Sequence, residues 1–172
     1  MEINTHIEAV RREGERLAAA AARAGLDDPI PCCPGWVTRE LLRHLSEIHL
    51  WAASHVARRA VREGVSQLAD LEASWPDLAV FWPDDEALID YYVATNTNLV
   101  AELEAAPQDL ETWTFLPAPS PRQMWARRQA HETAIHRWDA ESATASVSGF
   151  DPAFASDGID EILTAMAPRA RE

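Results

Sequence analysis

The sequence predicts an all-α protein: a four-helix bundle, up-down-down-up, with a long crossover between helices 2 and 3 and a short C-terminal helix. Three observations carry this. Four segments of roughly 20 residues repeat apolar side chains at helical spacing. Each is bounded by start or stop residues, and no stretch alternates in the manner of a strand. At 172 residues the chain suits one domain whose core needs no staples. The bundle is expected over 1–166, with a tail over 167–172.

The first helix is expected from about Asn4 to Arg23. Ile7, Val10, Leu17 and Ala21 repeat at helical spacing, the alanine run favours helix, and Gly25 stops it. Asp27 to Trp36 holds Pro29, Pro31, Pro34 and Gly35, so it reads as a turn-rich connection. The second helix is expected to take Thr38 as its N-cap and to reach about Glu63, ahead of Gly64. Leu41, Leu45, Ile48 and Ala52 form its apolar stripe, and His44 lies beside that stripe. Val65 to Pro83, with Trp75-Pro76 and Trp82-Pro83, is expected to form the crossover, with a short helix around Gln67 to Glu72. The third helix should run from Asp84 or Asp85 to Ala106, carrying Leu88, Tyr92, Leu99 and Leu103, and Pro107 ends it. The fourth has the clearest start: Ser120 caps, Pro121 fills the first helical position and Gln123 stands at the capping-box position. It continues to about Ser142. Thr144 to Ala155 reads as loop, and a short helix is expected from Ser156 to Met166.

The first and third connections favour antiparallel neighbours. A crossover of roughly 20 residues lets the second and third helices run parallel. The second and fourth are then antiparallel, so the N-terminal part of the second lies beside the C-terminal part of the fourth.

Composition excludes several function classes. The chain is 47% hydrophobic and 25% charged, with a net charge of -13, which suits a folded domain and repels nucleic acid and anionic membranes. No apolar run reaches spanning length, and no signal-peptide h-region is visible. The two cysteines, Cys32 and Cys33, are adjacent, which no disulfide framework would choose. A reduced, cytoplasmic protein is expected. The seven Trp residues read as core and loop anchors. Oligomeric state is left open, a homodimer included.

The fourth helix carries the chemistry. Glu132 and His136 are an i,i+4 pair whose side chains leave one face within reach of one ion. His131 is five residues from His136, roughly 140° round the helix, so those two do not share a metal and the string is not HExxH. His44 and His49 diverge by the same angle, and His55 returns to the His44 face roughly 16 Å along the axis. Bundle topology brings His44 to Glu132 and His136. A His2Glu set with an open position suits zinc, while nickel or iron(II) could take the same ligands. Trp36 and Trp82 are candidate pocket walls, and Arg128, one turn before Glu132, could meet an anionic ligand. Each part also has a plainer reading: His44 as a core histidine, Glu132–His136 as an exposed helix-stabilising pair, and Arg127, Arg128 and Arg137 as a solvated face. Cys32 and Cys33 are not expected as ligands or nucleophiles, since neither a spaced cysteine pair nor an adjacent base is visible.

Cys33-Pro34-Gly35-Trp36, Leu41-Leu42-Arg43-His44-Leu45 with Trp51, His131-Glu132-Thr133-Ala134-Ile135-His136-Arg137-Trp138-Asp139-Ala140-Glu141 and Asp157-Gly158-Ile159-Asp160-Glu161 together resemble one family. It is the mycothiol-dependent maleylpyruvate isomerase N-terminal domain family, within the DinB-like helical-bundle superfamily. The resemblance spans most of 1–166 and implies a divalent metal, typically zinc, on His44, Glu132 and His136. It also implies a low-molecular-weight thiol cosubstrate, mycothiol in actinobacteria, a source that the all-Arg basic composition fits. The activity implied is thiol-dependent: S-transfer to, or isomerisation of, a small electrophile. Members similar to the isomerase carry a further C-terminal domain that 1–172 does not include. An S-transferase is therefore the nearer expectation. The competing readings are a non-catalytic metal- or thiol-binding module and, less favoured, a metal-dependent hydrolase.

Overall fold

A computed structural model describes residues 1–57 and 82–169. Four long helices, α1 (Ile3–Ala24), α2 (Thr38–Val56), α3 (Asp85–Ala105) and α4 (Pro121–Ser142), are followed by a short α5 (Pro152–Glu161). The chain then continues through a π-helical turn, Ile162–Met166, into Ala167–Arg169. No strand occurs among the described residues, and one isolated antiparallel bridge joins Pro29 to Val37. The expected extension of the second helix beyond residue 57, the crossover helix and Trp75-Pro76 lie outside the described residues.

Side-chain pairings fix the direction of each helix. His44 meets Glu132, His49 meets Thr133, and His55 stacks on Trp125, so α2 and α4 are antiparallel. Arg39 pairs with Asp85 and His49 packs on Tyr92, so α2 and α3 are parallel. His6 approaches His131 and Glu13 binds Arg137, so α1 and α4 are parallel too. The order is up-down-down-up. The neighbours differ from the expectation, however. α1 packs chiefly on α4 and α3, and α2 on α3 and α4, leaving α1 and α2 antiparallel across the bundle diagonal. The connections at 25–37 and 106–120 are long enough to span that diagonal.

Two apolar clusters fill the bundle. One gathers Leu17, Ile30, Leu41, Leu42, Leu45, Leu88 and Tyr92 near the start of α2. The other gathers Val10, Trp51, Leu99, Leu103 and Trp125 towards its far end. In the second, Trp51 lies edge-on to Trp125 at 5.0 Å between ring centres, and the Trp125 indole N–H donates to the Trp113 carbonyl at 3.1 Å. A buried polar layer includes Asn96, whose amide donates to the Val10 carbonyl at 3.2 Å. Any Cβ at Gly14 would collide with that amide, so α1 and α3 approach closely there only because position 14 is glycine.

Two helix starts correct the expectations. Thr38 is not the N-cap of α2: Val37 is, and the Glu40 carboxylate accepts from its backbone N–H at 3.0 Å. The Thr38 hydroxyl instead donates to the Asp28 carbonyl, helping to tie the preceding turn to the helix. α5 starts at Pro152 rather than Ser156, with the Asp151 carboxylate accepting from the N–H groups of Ala153 and Phe154 at 3.0 Å each. Ser120 caps α4 by accepting from the Gln123 N–H at 3.2 Å, with Pro121 in the first turn.

Candidate metal centre

Because α2 and α4 are antiparallel neighbours, the second turn of α2 faces the fourth and fifth turns of α4. The Glu132 carboxylate lies between two imidazoles. Its Oε1 is 3.5 Å from His44 Nε2 and 3.3 Å from His136 Nε2. One ligand atom from each of the three residues lies within 4.8 Å of the others. Tetrahedral bonds of about 2.0–2.1 Å separate neighbouring donors by roughly 3.3 Å. The two nitrogen–oxygen distances already match that edge. The residues present fit a divalent cation bound by two imidazoles and a carboxylate.

The surroundings aim these donors. The Asp139 carboxylate accepts from His136 Nδ1 at 2.8 Å, which leaves Nε2 with its lone pair towards Glu132 when the ring is neutral. Arg128 Nη2 donates to Glu132 Oε2 at 2.8 Å and its Nη1 to Glu161 Oε2, so the guanidinium holds the far oxygen and leaves Oε1 to the histidines. Burial alone would raise the Glu132 carboxyl, but hydrogen bonds with His136 and His44 and the charge of Arg128 hold it well below its ordinary range. Burial disfavours charge on His136, yet its bonds to Asp139 and Glu132 outweigh that and raise it to about 9. Trp36 packs edge-on against His44 at 5.2 Å between ring centres, on a turn closed by Ile30 N–H to the Trp36 carbonyl. Gly35 turns there with φ 88°.

The other residues singled out in the sequence have these described partners. The described ring contact of Trp82 is with Tyr91, at 6.2 Å, and it lines a polar cleft with Arg43 and Asp84–Glu86. Arg128 is bound between two carboxylates and also lines an apolar cleft of ≈ 400 Å³ with Phe150, Phe154, Ile159 and Ile162. His49 is buried against Thr133, and burial pushes it down to about 3. His131 is a packing residue, bound to Asp157 at 2.8 Å and tilted against the Phe154 ring at 4.6 Å between ring centres.

The arginines of α4 correct the reading of a solvated face. Arg137 is fully buried, donating to Glu13, Glu141 and Ser148, and Arg127 is bound to Asp157 and Asp160. Two supports were missed. Asp139 sits one helical turn after His136 and carried an i,i+3 signal. Glu161 stood in the Asp157–Glu161 stretch, but nothing there pointed to Arg128, because that meeting follows only from how α5 folds back.

The sequence profile described as "Mycothiol maleylpyruvate isomerase N-terminal domain" matches residues 7–141. That span contains all three donors and most of the chain, so the chain belongs to this family. Neither the curated proteins nor the solved structures gave a match. Among the described residues no helix is long and apolar enough to cross a membrane.

Proposed function

We propose that this member of the family is a metal-dependent thiol enzyme. It would carry zinc on His44, Glu132 and His136 and use a low-molecular-weight thiol such as mycothiol to attack a small electrophile. The observation that carries the reading is the carboxylate oxygen of Glu132 held between two imidazole nitrogens at 3.5 and 3.3 Å. Zinc in such a set lowers the pKa of a coordinated thiol, so that thiolate is available at neutral pH.

The chain's own residues prepare that chemistry. Asp139 orients His136, and Arg128 orients Glu132 and balances its charge. The Trp36 ring, beside His44, offers an apolar wall to an incoming thiol or electrophile. In S-transfer the thiol gives up its proton and its sulfur forms a bond to carbon, while a leaving group departs from that carbon or, in addition across a double bond, the neighbouring carbon takes up a proton. In isomerisation the same addition is reversed after rotation about the weakened carbon–carbon bond. No protein nucleophile is needed for either course.

A hydrolytic reading is weaker because nearby carboxylates are engaged: Asp139 by His136 and Cys32, and Glu161 by Arg128. Two measurements test the proposal. Protein purified without added metal should contain close to one metal per chain, and His44→Ala should remove it. Less than about a tenth of a metal per wild-type chain would sink the reading. A thiol conjugate should then form with a panel of electrophiles. Metal binding with no conjugate would leave a non-catalytic binding module instead.

A further inference from the structure

The turn before α2 brings two thiols against the last turns of α4. Cys32 Sγ donates to Asp139 Oδ1 at 3.0 Å and lies 3.3 Å from the Ser142 hydroxyl. Cys33 is its chain neighbour, and one ligand atom each from Cys32, Cys33 and Asp139 lies within 4.8 Å of the others. Both cysteines are free, Cys32 is exposed and Cys33 partly so. The turn is held in place: Cys33 N–H donates to the Ile30 carbonyl at 3.0 Å and Trp36 N–H to the Cys33 carbonyl at 2.9 Å. Asp139 is anchored on its other oxygen by His136 at 2.8 Å.

We propose that Cys32, Cys33 and Asp139 form a second cation site, selective for a soft, thiophilic d10 ion, separate from the His44–Glu132–His136 set. Two sulfurs and one oxygen make a softer donor set than two imidazoles and a carboxylate, so the two sites sort ions by softness. Solvent access at Cys32 gives an entry path and room for a water as a further ligand. Burial and the Asp139 charge raise both thiols, Cys33 to about 12, so in the absence of an ion both stay protonated. On binding, each thiol releases its proton to solvent as its sulfur donates a lone pair to the ion, and nothing is oxidised or reduced. Asp139 touches both sites and is their point of contact. The proposal goes beyond the function proposed above; its donor geometry stands apart from that reading, and only its zinc readouts rest on the histidine site proposed there.

The test is a Cd2+ titration of the full chain, first loaded with one equivalent of Zn2+ and kept reduced by a phosphine. The chain has only two cysteines, so a thiolate-to-cadmium charge-transfer band in the ultraviolet can come only from them. The expected result is a band that saturates near one added equivalent, with about two protons released per ion. Zinc should stay bound. Cys32→Ser and Cys33→Ser should each weaken Cd2+ binding at least about tenfold. The double variant should abolish the band while keeping its zinc, and Cys→Ala versions with an unchanged melting temperature guard against misfolding. Absence of a band, or a full band surviving in either single variant, overturns the proposal. Displacement of zinc by cadmium without a band overturns it as well, since the ion has then entered the histidine set.

Discussion

His44–Glu132–His136 and His6–His131–Asp157 contain the same donors, two imidazoles and one carboxylate, and α4 contributes to both. Their surroundings differ. In the first, Arg128 holds Glu132 Oε2 and leaves Oε1 to the histidines. In the second, His6, His131 and Arg127 all converge on Asp157 Oδ2, at 3.0, 2.8 and 2.9 Å, and the N-terminal ammonium lies 3.3 Å from Oδ1. The first set keeps 24, 23 and 16% of its His44, Glu132 and His136 side chains exposed, whereas His6 in the second is sealed. Donor type alone does not make a metal site. A guanidinium on the critical oxygen already occupies the place of a cation, so the second set works as a clamp that fastens α5 to α1 and α4.

The sharpest way to break that contrast is to remove one carboxylate from each set. Glu132→Gln should reduce bound metal to less than about a tenth of an ion per chain, while Asp157→Asn leaves metal content unchanged by elemental analysis. Equal loss from both variants would end the distinction. On metal-stripped protein the roles reverse. Asp157→Asn weakens hydrogen bonds to charged and buried partners at a cost of about 2 kcal/mol, read as a melting temperature lower by roughly 4–8 °C. A shift within the scatter of replicate melts would mean that the clamp does not hold α5.

Asp139 refines the contrast, because it orients His136 without being one of the three candidate donors. Asp139→Asn should weaken metal binding by about 10–100-fold, with stoichiometry restored at high metal concentration. An unchanged dissociation constant would show that the bond to His136 Nδ1 is incidental.

The smallest effect expected is on acid stability. Burial lowers His6 and His55 below their ordinary 6.5, and burial, offset only in part by Asp157, takes His131 to about 4. The unfolded chain takes up these protons as pH falls through about 6.5, and the folded chain takes them up only lower. The stability contributed by these three histidines is therefore fully present above about pH 6.5 and is lost as pH falls towards 4. Melts of metal-stripped protein across that range should show the slope, and His131→Asn should make it shallower. The same slope in the variant would assign the acid sensitivity elsewhere.

Several features were legible in the residues alone. Gly25 ends α1 and Ser120-Pro121 opens α4 because capping depends on atoms within one turn. Glu132 and His136 were a pair by helical phase, and His44 joined them once α2 and α4 were taken as antiparallel. The Asp151-Pro152 start of α5 carries the same signal as Ser120-Pro121 but lies in a stretch whose serine, glycine and aspartate content reads as loop. Arg137 misled because an arginine on a polar helix face is ordinarily hydrated. Its burial becomes tolerable only when Glu13, 124 residues away, arrives to pair with it.

The sequence by itself therefore determined the helices, most of their ends and the spacing that puts Glu132 and His136 on one face. Those features rest on interactions a few residues apart along the chain. Tertiary structure decided that α1 crosses the bundle diagonal from α2, that Arg128 spares one oxygen of Glu132, and that Arg127 closes the other cluster. It also decided that Cys32 meets Asp139, 107 residues away. The strength of each of these contacts depends on distance, burial and competing charge in space, and helical periodicity carries none of that information.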